Sequence, residues 1–283
     1  MDKIKSTIKG YLALYGIYAK MDFAWLLRDS KSAMLAISAD LISNIAAISS
    51  MFLLAWRFGG IGGLSEYQVL FMLGYNSIVT GFFVTFGVNN NFHISRIIGR
   101  GQLEHMFIQP ISLKRQILTM GFAPFSASSP TILGLIIIAV ALNKLNVELN
   151  IMWVLKFMAY LLASEGLIIG LSFLVSSLTF YAPKACEEIS MCVIDYTEDL
   201  NVFPLSGMSE GIQMLLVTVI PTGLVVWFPA VSLVGENPLG LSSFLPFIVV
   251  LIIGGIAAIF FKRGLNYYVK TGANRYSAGG FRR

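Results

Sequence analysis

Apolar residues run along this chain in long blocks, with the charged residues gathered between them. Crossing a hydrocarbon core of about 30 Å takes roughly 20 consecutive apolar residues in a helix. Four blocks meet that length with few charges: Ala33 to Trp56, Tyr67 to Val88, Ile117 to Asn143 and Ile151 to Phe180. A fifth, Gln213 to Gly235, is long enough but contains Pro221 and Pro229. A sixth, Phe244 to Phe261, is somewhat short and carries no charge until Lys262. Ahead of the first block, the patch Tyr11 to Leu27 is broken by Lys20 and Asp22 and lacks a small-residue cleavage pattern, which excludes a signal peptide. It predicts a helix lying in the membrane interface over residues 1–32.

Composition agrees with this pattern. Of 283 residues, 56% are hydrophobic and 12% charged, with mean hydropathy +0.76, whereas soluble domains carry about a quarter charged residues. The expected class is an all-α integral membrane protein.

Net charge +5 takes its meaning from where the cations lie rather than from their sum, and it does not indicate nucleic acid. Segments 1–32, 89–116, 179–212 and 262–283 hold 17 of the 20 Lys and Arg, and the alternate loops 57–66, 144–150 and 236–243 hold 2; Lys156 is the last. That asymmetry predicts cytoplasmic N- and C-termini. The basic segments are then expected to face anionic lipid headgroups, at about 1 kcal/mol per charge near the surface, or a docking partner.

One basic segment is unusual. RIIGRGQLEHMFIQP, residues 96–110, places a glycine hinge at Gly99 to Gly101 between Ile97, Ile98 and the apolar Leu103, Met106 and Phe107, and ends at Pro110. Two short amphipathic pieces along the membrane surface fit that pattern.

The chain here resembles the membrane-spanning subunits of bacterial six-span type 2 ABC exporters, above all the branch that includes viologen exporters. In that branch the loop after the second span reads I-x-x-G-x-L-x-x-x-L-x-x-P, and Ile98, Arg100, Gly101, Gln102, Leu103, Glu104, Phe107, Ile108 and Pro110 stand in the same register. Glu104 departs from the aspartate usual there. A second similar run is FPLSGMSEGIQMLLVTVIPTGLVVWFPAVSLVG, residues 203–235, where Pro204, Pro221, Pro229, Ala230 and Gly235 match and Ser209 replaces a proline. In the family this run forms a re-entrant hairpin on the outer side before the last span.

The resemblance implies six spans in a single transmembrane domain, 33–283, with a cytoplasmic coupling helix over 94–110 that docks on a separate ATPase. Ile98, Leu103 and Phe107 would anchor in the ATPase groove, with Arg100 and Glu104 at its rim and Gly101 and Gln102 between them. It further implies a bacterial cell-membrane location and a second permease copy or a sister permease. ATP and magnesium would bind the ATPase, since this chain has no GxxxxGK[ST] phosphate loop and is not expected to be an enzyme.

Two placements of the fifth span remain open. An external hairpin at 203–235 requires a span at 182–202, despite Lys184, Glu187, Glu188, Asp195, Glu198 and Asp199; otherwise 213–235 crosses and 182–212 is cytoplasmic. The absence of Lys and Arg from 200–243 favours the hairpin.

Intramembrane charges are costly and usually face a cavity or a partner. Glu188, Asp195 and Asp199 share one helical face with Cys192, a stripe suited to a cationic or zwitterionic substrate. Asp40, in the first span near Asn44, and Glu165 in the fourth are lesser candidates for the same path. The first span's small residues Ala36, Ala39, Ser43, Ala46, Ala47 and Ser50 suit close helix packing, while Pro124 and Pro130 are expected to kink the third. Cys186 and Cys192 are unsuited to a disulfide or a metal site. The alternative function is an ion-gradient-driven carrier, which would need internal repeats that the two halves do not display. An enzyme using His93 or His105 lacks a partner group nearby.

Overall fold

The computed structural model describes residues 2–86, 97–98, 102–182, 195–235 and 238–272. In chain order the helices are α1 (Asp2–Arg28), α2 (Ser30–Phe58), α3 (Glu66–Thr85), α4 (Gln102–Ile108), α5 (Leu113–Thr119), α6 (Ser129–Leu145), α7 (Ile151–Ser176), α8 (195–201), α9 (Glu210–Thr218), α10 (Trp227–Leu233) and α11 (Leu245–Thr271). Among the described residues four helical spans are long and apolar enough to cross a membrane: α2, α3, α7 with its 3-10 extension to Phe180, and α11. A fifth apolar stretch, α9 followed by Pro221–Leu233, is bent by 77°.

Local chemistry explains the boundaries. Gly59, at φ 69°, ends α2 in the left-handed conformation that glycine adopts without strain. Ser65 opens α3 with a reciprocal capping box, in which the Gln68 amide donates to its Oγ and the Ser65 amide donates to Gln68 Oε1. The expected third span, 117–143, is not one helix. Its first residues belong to α5, residues 120–128 are non-helical, and α6 starts at Ser129 with Pro130 in its first turn, where the missing N–H costs nothing. Pro124 and Gly121, at φ 83°, lie in that gap, so the kink expected from the prolines is a full break. At 17 residues α6 spans about 25 Å.

The last span also runs past its expected end, because α11 carries Lys262 and Arg263 within its helix and continues to Thr271. Of the expected span 182–202, only residue 182 and residues 195–202 are described, the last stretch being mostly α8.

The tightest pair is α3 against α6. A Cβ on Gly134 would fall 2.6 Å from the Gly74 carbonyl oxygen, and one on Gly74 would fall 2.9 Å from Ile137 and Ile138. In lipid, where no hydrophobic force drives two helices together, close backbone approach of this kind supplies the packing energy. Around the pair lies the main core, including Phe71, Tyr75, Ile78, Leu167 and Phe228, all at most 1% exposed. The small residues of α2 do not join it. Ala36, Ala39, Ser43, Ala46, Ala47 and Ser50 are all exposed on the single chain.

Candidate coupling surface and transport path

A second, smaller core joins the short basic-end helices to the ends of two spans. Ile97, Ile98, Leu103 and Met106 pack there with Ile117 of α5, Phe180 beyond α7 and Tyr268 of α11. Gln116 fixes the turn after α4, its amide donating to the carbonyls of Met106 (2.8 Å) and Ile111 (2.7 Å). Those carbonyls lie at a helix end, where intrahelical partners run out. α1 lies against α5: the Arg115 guanidinium sits 5.5 Å from the centroid of the Tyr11 ring, and Tyr15 donates its hydroxyl to the Leu118 carbonyl at 3.0 Å. Burial and the neighbouring Tyr11 raise the Tyr15 pKa above the ordinary tyrosine value, so this donor keeps its proton at neutral pH. Further along α1, Asp22 accepts from the backbone amides of Phe125 and Ser126 and from the Ser126 hydroxyl, holding the break before α6.

This arrangement divides the expected anchors. Ile98 is 1% and Leu103 3% exposed, turned into the chain's own core and unavailable to a partner. Phe107 at 43% and Ile108 at 79% point outward, beside exposed Gln102, His105, Gln109 and Pro110, with Glu104 half-buried. Arg100 and Gly101 lie outside the described residues, as do Glu188, His93 and both cysteines.

At the opposite end of the bundle, the segment 205–234 makes its contacts. A Cβ on Gly207 would lie 3.1 Å from Gly62 Cα, so the start of the segment rests on the α2–α3 turn. Its finish, at the end of α10, is held by the opening turns of α7: Lys156 Nζ donates to the Ser232 carbonyl (2.7 Å) and Trp153 Nε1 to that of Leu233 (3.0 Å). A cation at the C-terminus of a helix meets the negative end of its dipole. Between these ends the chain dips inward. Ser164, in the middle of α7, meets the Val225 carbonyl at 2.6 Å and the Tyr75 hydroxyl at 2.9 Å. The bend follows from Pro221, which has no N–H to donate, and from Ile220 before it, held extended at φ −119°, ψ 85°.

The acidic candidates are scattered. Asp40 accepts from Asn44 (3.2 Å) and from the hydroxyl of Ser129, which ties α2 to the start of α6. Glu165 is partly buried, and its Oε1 has no hydrogen-bond partner among the described residues. Asp195 and Asp199 are exposed on α8. No cluster of three or more potential metal ligands occurs among the described residues.

A family model described as ABC-2 family transporter protein matches residues 41–272, from the first span through the last. The chain belongs to the ABC-2 transporter family. Neither a curated protein nor a solved structure matches it. As an ABC-2 family member with several apolar helices, it is a multi-pass membrane protein and a transport subunit rather than an enzyme, and membership implies an ABC ATPase partner. Membership does not favour the ion-driven carrier. Sequence reasoning missed Gln116, Phe180 and Tyr268 as the support beneath the basic loop. For Phe180 and Tyr268 the signal was an aromatic residue near the basic end of a span, and Gln116 left none.

Proposed function

We propose that this ABC-2 family chain is the permease subunit of an ATP-driven exporter of the bacterial cell membrane, related to the viologen-exporter branch. It acts as a dimer with a second copy or a sister permease. In this reading the segment 94–110 is the coupling helix, and it reaches the ATPase through Phe107, Ile108 and Pro110, with Arg100 and Glu104 alongside. The observation that carries the reading is the split of α4: its inner face is built into a core shared with the ends of α7 and α11, while its outer face leaves large apolar side chains exposed at the basic end of the molecule. A groove on a partner needs such anchors, and a core shared with two spans gives its push somewhere to go.

The cation asymmetry puts that end in the cytoplasm, with both termini. Residues 203–235 then form an outer re-entrant hairpin, supported by contacts of both its ends with the same end of the bundle. The fifth span is 182–202, and the sixth is α11. The exposed small-residue face of α2 is the surface a second permease would cover. Asp195, Asp199 and Glu188, with Glu165, are proposed to line the substrate path, which makes cationic or zwitterionic compounds the expected cargo. Asp40, engaged by Ser129, keeps a lesser part in it.

Co-purification of the tagged chain from its native membrane, with mass spectrometry and an ATPase assay, tests the reading. A Phe107→Asp, Ile108→Asp variant is expected to lose an ATPase subunit that the parent retains. A parent chain that purifies without any ATPase while still transporting would overturn it.

A further inference from the structure

A cavity of about 620 Å³ opens between α5, α7 and α11, away from the hairpin and from the exposed face of α4. Its walls are apolar, with Phe173 and Phe261 prominent among them, and at its mouth stand two cations, Lys114 and Lys262. None of the residues lining it is acidic. Both lysines are exposed, and neither forms an ion pair among the described residues.

The dimensions fit one class of occupant. Along α11 the lining runs from Val250 to Leu265, and its uncharged stretch from Val250 to the charge at Lys262 measures about 18 Å at 1.5 Å per residue. One leaflet of a hydrocarbon core about 30 Å thick is about 15 Å deep. The apolar stretch of the groove is therefore about one leaflet deep, and it ends in positive charge where headgroups lie. Lys262 is the first charge after a run of 17 uncharged residues from Leu245, which places the mouth at the membrane surface on the basic side. Gly254 gives the groove its room, since a Cβ there would meet nothing within 4 Å.

We propose that this groove is a binding site for an anionic phospholipid of the cytoplasmic leaflet. An acyl chain lies in the groove walled by α5, α7 and α11, and the phosphodiester sits between Lys114 and Lys262. Because α5 follows directly on α4, a bound lipid braces the support of the coupling segment against the last span. The inference rests on the membrane reading and on the charge asymmetry, not on the ATPase contact.

Native mass spectrometry of the full chain from micelles doped with phosphatidylglycerol or phosphatidylcholine tests it. The expected result is selective retention of phosphatidylglycerol. With about 1 kcal/mol for each lysine, a Lys114→Ala, Lys262→Ala variant is expected to retain it ~30-fold more weakly. Gly254→Leu, which fills the groove, is expected to abolish retention while leaving the melting temperature within a few degrees of the parent's. Should Gly254→Leu fail to fold, the lysine pair alone decides. Equal retention of the two lipids, or retention untouched by the lysine substitutions, would overturn the proposal. Conversion of a dimer to a monomer by Gly254→Leu would overturn it too, because the occupant would then be a second copy of the chain. ATPase co-purification is a separate readout, so failure of either proposal is visible independently of the other.

Discussion

Ser164 makes the most testable junction in the molecule. Its hydroxyl has one proton, shared between the Val225 carbonyl at 2.6 Å and the Tyr160 carbonyl one turn back at 2.9 Å, so that its oxygen accepts from Tyr75 at 2.9 Å. Ser164, Val225 and Tyr75 are all 0% exposed, so no water replaces a lost partner. Ser164→Ala strands both the Val225 carbonyl and the Tyr75 hydroxyl. At about 1 kcal/mol for each stranded group, the low end of the range, the cost is about 2 kcal/mol. Hydrogen bonds within membranes average only ~0.6 kcal/mol, because an unfolded helix in lipid also finds partners. The larger figure is expected here because the stranded carbonyl belongs to a bent segment with no helix of its own to satisfy it. Tyr75→Phe removes the donor together with its need and leaves Ser164 bonded to Val225, costing about 1 kcal/mol. In the double variant no phenol remains to be stranded, and the total is expected to fall about 1 kcal/mol short of the sum. Unfolding in mixed dodecyl sulfate and maltoside micelles, followed by circular dichroism, measures all four corners of the cycle. Strict additivity, or a Ser164→Ala cost no greater than that of Tyr75→Phe, would refute the argument.

Three further outcomes are expected. Gly134→Val puts side-chain atoms against the backbone of α3, which cannot turn aside as a flexible side chain would, and is expected to lower stability by at least 2 kcal/mol in the same assay. Lys156→Met keeps the stem and removes the charged donor to Ser232, with an expected loss of about 1.5 kcal/mol; Lys156→Arg is expected to restore most of it. Asp195→Asn with Asp199→Asn is expected to lower resistance to cationic compounds at least ~10-fold at normal expression, since each carboxylate contributes about 1 kcal/mol of attraction at a watery surface. Unchanged resistance would remove α8 from the substrate path.

Four of the expected spans, those now seen as α2, α3, α7 and α11, were legible because long apolar blocks have few other uses. The break at 120–128 was half legible. Pro124 and Pro130 announced a disturbance, but that α6 begins afresh at Ser129 depends on Asp22, a hundred residues earlier, receiving the loop amides. Ile98 and Leu103 show the limit for the site. Amphipathic spacing identifies an apolar face but not what it meets, and Phe180 and Tyr268 lie too far along the chain for local pattern to pair them with it. Lys156 was conspicuous as a lone cation in an apolar block, yet its acceptor is a carbonyl 76 residues away, and backbone acceptors leave no trace in composition.

One helix takes part in both ends of this molecule. Ile151–Phe180 contains no proline, and it holds the bent segment 205–234 through Trp153, Lys156 and Ser164 while its far end presses Phe180 against the supports of α4. A rod of about 45 Å without a proline joint does not absorb a push; it passes it on. Tilted by only ~5° about one end, such a rod sweeps its other end through about 4 Å, enough to carry the carbonyls at Val225, Ser232 and Leu233 out of their present register. The bent segment and the small core beneath α4 are in that sense two ends of a single lever arm, and stiffness along α7 is the property that sets its throw.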